Sequence, residues 1–188
     1  LIRSVTLIPG ATEFGYDPVA RVRVVGRGSA ERENAHASAL TSDWMLSLDE
    51  LQDLCPNLEH VALVVSWFGD DLRAGECAVR PKVEAASRAV KGAEWGVAGL
   101  SRAAAAVVSM HEGGPAYGGT PSDAAVRAAI ADLKARGLGV TLYPMLLMDI
   151  PADNAMGQPA YPWRGRIAPV AAAAAEVAAF VGGTEDWG

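Results

Sequence analysis

The sequence predicts an α/β fold, in which helices separate strands that pair in parallel. Three observations support this: a helix that leads into an apolar strand within residues 116–150, an apolar run at 60–68 that follows another helix, and an overall alternation of strands and helices. Strands separated by a helix cannot form a tight hairpin, and they normally lie parallel in one sheet. We therefore expect a parallel sheet covered by helices.

In the first of these units, the sequence indicates where the helix begins and where it ends. Thr120 can accept a hydrogen bond from the first turn, Pro121 suits the first helical position, and Asp123 completes a T-x-x-D capping box. Gly137 supplies the left-handed residue that ends the helix. The apolar run 138–143 then predicts a strand that is buried on both faces.

The beginning of the chain predicts two regular elements and one irregular stretch. Residues 4–8 alternate weakly in hydropathy and precede a Pro-Gly pair, which predicts a first strand. Residues 21–46 form an irregular excursion that is largely polar and without a period, although 21–25 alternate and could be an edge strand. A capping box at 47–50 predicts the start of a helix.

The run HVALVVSWF at 60–68 is the most strand-like in the chain, and it is followed by the adjacent acids Asp70 and Asp71. Farther along, residues 82–90 predict a short helix. Residues 105–110 predict a strand, because Val107 and Val108 are β-branched.

The number of strands leaves the closure of the sheet open. About four core strands are predicted, whereas a closed (β/α) barrel needs eight in about 250 residues. Residues 1–188 therefore form a single domain that is either a small open α/β sheet or the first part of a barrel. The chain ends with an aromatic loop at 151–169 and an Ala-rich predicted helix at 170–181, and a stop just after a helix favours an incomplete barrel.

Composition and charge argue against several classes of protein. The formal net charge of −6 argues against direct nucleic-acid binding, which needs a basic face. The Ala-rich segment is too short to cross a bilayer and carries Glu176, so we expect no transmembrane segment. Cys55 and Cys77 are expected to be free thiols, although they could pair, and no spacing indicates a metal or a cofactor.

Five motifs resemble one family of proteins. They are SWFGDDLR (66–73), PAYGGTPSD (115–123), LKARGLGVTLYP (133–144), LMDIPADN (147–154) and QPAYPWRGRI (158–167). Together they are similar to the TIM-barrel-like domain of the large tail-hub, or host-specificity, protein of gene transfer agents and related siphophages. The similarity covers nearly the whole chain.

This resemblance implies a (β/α)8 TIM-barrel-like domain, similar to glycoside hydrolases, of which the chain is the N-terminal part. It also implies a place in the tail tip of a phage-like particle that is assembled in the bacterial cytoplasm. The implied partners are other tail or baseplate subunits, in a homotrimer around the tail axis, and a cell-envelope glycan. A glutamate that resembles a glycosidase acid is expected beyond residue 188.

Four acids follow predicted strands, where barrels of this kind carry their sites. Glu112 and Asp149 are candidate catalytic residues, because a glycosidase needs two carboxyl groups on opposite sides of the scissile bond. Asp70 and Asp71 are candidate binding residues. Each of the four also has a purely structural interpretation, since turns and helix caps use acids, and Asp149 could organise the turn before Pro151.

The aromatic loop supplies three further candidate binding residues, Tyr161, Trp163 and Arg164. Aromatic faces beside arginine suit stacking on sugar rings and pairing with acidic groups. The same residue types anchor protein interfaces, and interface or core packing is the favoured interpretation here.

Two functions of different classes follow. The favoured prediction is a structural module of a tail tip or baseplate hub that contributes to host-envelope contact and DNA delivery. The alternative is a glycoside hydrolase that acts on peptidoglycan or surface polysaccharide. The chain shows no convincing pair of catalytic acids, which favours the structural role.

Overall fold

The structure is a computed structural model that describes residues 2–8, 12–159 and 175. The Pro-Gly pair at 9–10, residues 160–169 of the aromatic loop and all of the predicted helix at 170–181 except residue 175 lie outside the described residues. Two α-helices are described, α1 (Asp43–Leu54) and α2 (Asp123–Ala135), with short 3-10 turns at Ala74–Glu76 and Arg102–Ala104. The strands are β1 (Ser4–Leu7), β2 (Val22–Gly26), β3 (Ser29–Arg32), β4 (His60–Gly69), β5 (Val79–Arg80), β6 (Lys82–Val83), β7 (Gly96–Val97), β8 (Leu100–Ser101), β9 (Ala106–Val107), β10 (Met110–His111), β11 (Gly114–Pro115) and β12 (Gly139–Met148).

The main sheet has the order β1-β4-β12, and both neighbours run parallel to the central strand β4. Ser4 and Gly139 both pair with His60, so the three strands begin at one level. Helix α1 lies between β1 and β4 in the chain, and α2 lies between β4 and β12. The parallel pairing expected from strands separated by helices is confirmed for these three strands. Among the described residues, one further strand, the two-residue β5, joins this sheet, antiparallel to the end of β4.

The prediction of a (β/α)8 TIM-barrel-like domain, or of the first part of one, is wrong. Within the described ranges the main sheet is open, and β1 and β12 do not pair with each other. Most of the remaining strands are two residues long and form separate two-stranded ribbons. The physical reason lies in residues 70–122, where recurrent glycines and prolines prevent the long strands and helices that a further α/β unit would need.

Both helices pack on one face of the sheet. Along β4, Val61 and Leu63 point to this face and are fully buried, as are Ala129 and Leu133 of α2. The complete buried cluster consists of Tyr16, Trp44, Leu48, Val61, Leu63, Ala129, Leu133 and Leu138. Because side chains alternate along a strand, Phe68 points to the other face, where its ring lies 5.6 Å from that of Tyr117.

The helix starts differ from those predicted. Helix α2 is capped by Ser122, whose hydroxyl accepts a hydrogen bond from the Ala125 amide at 3.1 Å. Thr120 is not the cap, because its buried hydroxyl donates to the Ser66 carbonyl at 2.9 Å and so ties the loop to β4. The predicted end is confirmed: Gly137 directly follows the last cap residue with φ of +81°.

Helix α1 begins before the predicted capping box. Its cap is Ser42, which accepts a hydrogen bond from the Met45 amide at 3.3 Å and donates one to the Pro18 carbonyl at 2.8 Å. The box at 47–50 therefore lies inside the helix.

The predicted helix at 82–90 is wrong, because Lys82–Val83 pairs with β9 instead and the Glu84 amide donates to the distant carboxylate of Glu13.

Strand β12 is not buried on both faces as predicted. Leu142, Tyr143 and Leu146 are each about half exposed. The reason is position: β12 is at one end of the described sheet and pairs only with β4. It also contains Pro144, a residue that sheets accept at their edges.

The stretch 21–46 is partly regular in the structure. Its first part is the antiparallel hairpin of β2 and β3, and its last part is the beginning of α1. Asn34 fixes the segment between them, because its amide group donates to the carbonyls of Phe14, Asp17 and Val19. No helix among the described residues is long and apolar enough to cross a bilayer.

Candidate functional site at the carboxyl edge of the sheet

The carboxyl ends of β4 and β12 bring two of the predicted site residues together. The strands pair in register up to Gly69 and Met148, and the Asp149 amide donates to the Gly69 carbonyl at 2.9 Å. Asp70 and Asp149 therefore leave the sheet side by side. This is the edge at which open parallel sheets usually bind ligands.

Asp149 is fully buried and already paired. The Lys82 ammonium lies 2.8 Å from one carboxylate oxygen and 3.1 Å from the Asp149 carbonyl oxygen. The Ser109 amide donates to both carboxylate oxygens. A catalytic acid must reach its substrate, whereas this carboxylate joins β12 to β6 and to the segment before β10.

Asp70 and Asp71 organise the loop that follows β4. Asp70 accepts a hydrogen bond from the Ala78 amide at 2.7 Å. Asp71 accepts two hydrogen bonds from the Arg73 guanidinium and one from the Gln158 amide group. The Arg73 guanidinium holds the pKa of Asp71 well below its usual value, so Asp71 is ionised at neutral pH.

Glu112, unlike Asp149, lies on an exposed turn. It forms, with Gly113, the two-residue turn of the β10–β11 hairpin, and both residues have positive φ values, +49° and +83°. Its side chain is 86% exposed, and one carboxylate oxygen lies 3.8 Å from the His111 ring. Glu112 therefore acts as a turn residue. The remaining candidates, Tyr161, Trp163 and Arg164, lie outside the described residues.

The sequence did not indicate a second cluster of buried charges. The side chains of Glu13 and Glu84 are almost completely buried, and each carboxylate accepts a hydrogen bond from the backbone amide of the other residue. Arg102 forms a salt bridge with Glu13, and Arg88 lies 2.6 Å from Glu84. Burial raises the pKa of Glu84; the Arg88 charge opposes this rise and the Glu13 charge adds to it.

Backbone contacts connect this cluster to the edge of the sheet. The Gly119 amide donates to Glu84 at 3.4 Å, and a Cβ atom at Gly119 would lie 2.7 Å from Glu13. The Trp95 indole donates to the Thr120 carbonyl at 2.7 Å, and the Arg102 guanidinium lies 5.8 Å from the Trp95 ring. The loop before α2 is thereby held against both charged clusters.

The chemistry of this arrangement is electrostatic neutralisation. A buried carboxylate is stable only when a cation or several donors accompany it, and Asp149, Glu13 and Glu84 each have both kinds of partner. In the part of the chain that the structure describes, no group of three or more His, Cys, Asp or Glu residues could hold a metal ion. Cys55 and Cys77 are half-buried free thiols.

Sequence reasoning missed Glu13, Lys82, Glu84, Arg88 and Arg102, because most of the contacts that pair them join distant segments of the chain. One signal was present: Lys82 and Glu84 flank Val83, and in an extended chain, unlike the predicted helix, alternation places both on one side. Apart from the Glu84–Arg88 pair, which is four residues apart, the charged partners described above are 67 to 89 residues away in sequence. No spacing rule could have paired residues so far apart.

The comparisons with known proteins add no identity to this geometry: no protein-family model and no curated protein matches the chain.

Proposed function

We propose that this chain is a structural module of the tail tip or baseplate hub of a phage-like particle, in a gene transfer agent or a related siphophage. The chain is located in the tail tip of the particle, which is assembled in the bacterial cytoplasm. Its partners are the neighbouring tail subunits, in three copies around the tail axis, and the host envelope that the tail tip meets during DNA delivery.

The pairing of carboxylates with cations of the same chain carries this proposal. Three of the five motifs that resemble tail-hub proteins, 66–73, 115–123 and 147–154, meet at the carboxyl edge of the sheet. There Asp71 and Asp149 bind cations of the same chain. Polar residues that are used for internal contacts support a role as scaffold, which needs a fixed shape rather than a reactive group.

The alternative function is a glycoside hydrolase, and its candidate acids are poorly placed for that chemistry. Two catalytic carboxyl groups must face one substrate from opposite sides. Asp149 is inaccessible beneath Lys82, while Glu112 lies on an exposed turn. Hydrolysis would therefore have to use acids other than this pair.

Immunogold electron microscopy of purified particles tests the proposal. An epitope tag between Arg27 and Gly28, in the exposed turn of the β2–β3 hairpin, leaves the sheet and both charged clusters intact. We expect gold label at the tail tip. Label that stays in the soluble fraction, with none on intact particles, would refute the tail role.

A dye-release assay on peptidoglycan and on host surface polysaccharide separates the two functions. Particles with the natural sequence are compared with particles that carry Glu112→Gln or Asp149→Asn. We expect any hydrolysis by the particles to be unchanged in Glu112→Gln particles. A loss of hydrolysis in that variant, with particle number and tail structure preserved, would favour the enzyme.

A further inference from the structure

A cleft of about 320 Å³ lies between α1, the end of β1 and the segment that carries Tyr16. Its walls are mainly apolar and include Leu7, Tyr16 and Leu51. This volume is at the lower end of the range for small-molecule sites and suits a molecule with one ring. The walls are well supported, because Tyr16 and Trp44 are buried in the core with their rings 5.4 Å apart, edge to face.

The polar part of the cleft is the pair of His36 and Asp43. The His36 Nδ1 atom lies 2.6 Å from one carboxylate oxygen of Asp43. The other carboxylate oxygen accepts hydrogen bonds from the backbone amides of His36 and Ala37, at 2.8 and 3.0 Å. Asp43 is the first residue of α1, so the helix fixes its position and, through it, the orientation of the imidazole ring.

These contacts favour the ionised form of Asp43 and decide which nitrogen of a neutral His36 ring carries the proton. Burial by itself would favour the neutral acid, but the hydrogen bonds from Ala37 and His36 outweigh it and hold the pKa of Asp43 below its ordinary value. An ionised carboxylate can only accept, so the proton of the neutral imidazole is on Nδ1. In this neutral form Nε2 is an acceptor, and among the described residues it has no hydrogen-bond partner.

We propose that this cleft binds a small phenol whose apolar ring contacts Tyr16, Trp44 and Leu51 and whose hydroxyl group donates to His36 Nε2. The polar end presents an acceptor beside a negative carboxylate, which favours a hydrogen-bond donor over an anion. This site is separate from the charged clusters at the carboxyl edge and does not depend on the proposed tail function.

Binding of p-cresol and of toluene, followed by NMR of the intact chain, tests the proposal. The two probes have nearly the same shape, but only p-cresol has a hydroxyl group. We expect saturable binding with shifts at the Trp44 indole, and an affinity for p-cresol about 3- to 10-fold higher than for toluene, the ratio that one hydrogen bond supplies. No saturable binding of either probe would overturn the proposal.

Two pairs of variants locate the site. His36→Leu should reduce the p-cresol to toluene ratio to about one, whereas His111→Leu, which removes a histidine that also lies beside a carboxylate, should leave it unchanged. Leu51→Trp should fill the cleft and abolish binding of both probes. Asp53→Trp, an exposed position that helical periodicity places on the side of α1 away from the cleft, should not. A preserved ratio in His36→Leu or preserved binding in Leu51→Trp would refute the assignment, and the second pair keeps the test valid if His36→Leu folds poorly.

Discussion

The main sheet with its two helices and the segment 70–122 differ in what fills their interiors. Between the sheet and the helices the buried side chains are almost all apolar, with Leu63 and Leu133 fully inaccessible. In the segment 70–122 the apolar cluster is small, consisting of Val83, Trp95 and Val97 with two partly buried neighbours. Buried ion pairs lie beside it instead.

This difference follows from the length of the elements. A ten-residue strand and a thirteen-residue helix each present an apolar face that can be buried as a unit. Two-residue strands have no such face, so each loop must be fixed by individual contacts. We therefore expect the sheet to respond to lost volume, and the segment 70–122 to respond to lost charge.

The largest expected effect is that of Lys82→Met, which keeps the length of the side chain and removes its charge. Asp149 would remain fully buried without a cation, which typically costs about 3–5 kcal/mol. Urea denaturation followed by tryptophan fluorescence measures the free energy of unfolding. Arg3→Met is the control, because the Arg3–Glu59 pair is exposed and worth at most about 1 kcal/mol. Equal losses in the two variants would show that burial of the pair is unimportant.

Leu133→Ala tests whether the main sheet and its helices depend on apolar packing. Leu133 is completely buried between α2 and the sheet, so its truncation leaves a cavity and should cost about 2–5 kcal/mol in the same assay. Leu54→Ala, at the exposed end of α1, should change stability by less than about 0.5 kcal/mol. A small effect of Leu133→Ala would mean that the helices do not depend on this apolar contact.

Substitutions at the two helix caps should change the free energy of unfolding by an intermediate amount. Ser122→Ala removes one cap hydrogen bond and should cost about 1 kcal/mol. Ser42→Ala should cost about 1 kcal/mol more, because the Ser42 hydroxyl also donates to the Pro18 carbonyl and is fully buried. Thermal unfolding of both variants gives the ranking. The reverse order would indicate that the contact with Pro18 adds nothing.

The smallest expected effect is a gain of stability from Glu112→Asn. A two-residue turn in which both residues have positive φ favours Asn-Gly, and glutamate is strained there. We expect a gain of up to about 1 kcal/mol, visible as a higher Tm. Glu94→Asn, at an exposed position without positive φ, provides the control and should give no gain. A lower Tm for Glu112→Asn would argue for a role of this carboxylate beyond the turn.

Local signals in the sequence determined the elements that have long regular patterns. The run at 60–68, the strand at the beginning of the chain and the end of α2 at Gly137 were all predictable, because periodicity and a left-handed glycine are properties of neighbouring residues. The parallel pairing of β1, β4 and β12 also followed, since helices lie between these strands in the chain. What these signals could not fix was how many such units the sheet contains.

Tertiary structure decided the rest, because the decisive contacts join residues that are far apart in the chain. Thr120 had the pattern of a helix cap, yet its hydroxyl binds the Ser66 carbonyl and leaves the cap to Ser122. Asp149 had the pattern of an acid at the end of a strand, yet Lys82, 67 residues away in sequence, neutralises it. A local pattern shows what a side chain can do, whereas burial and the nearest partner determine what it does.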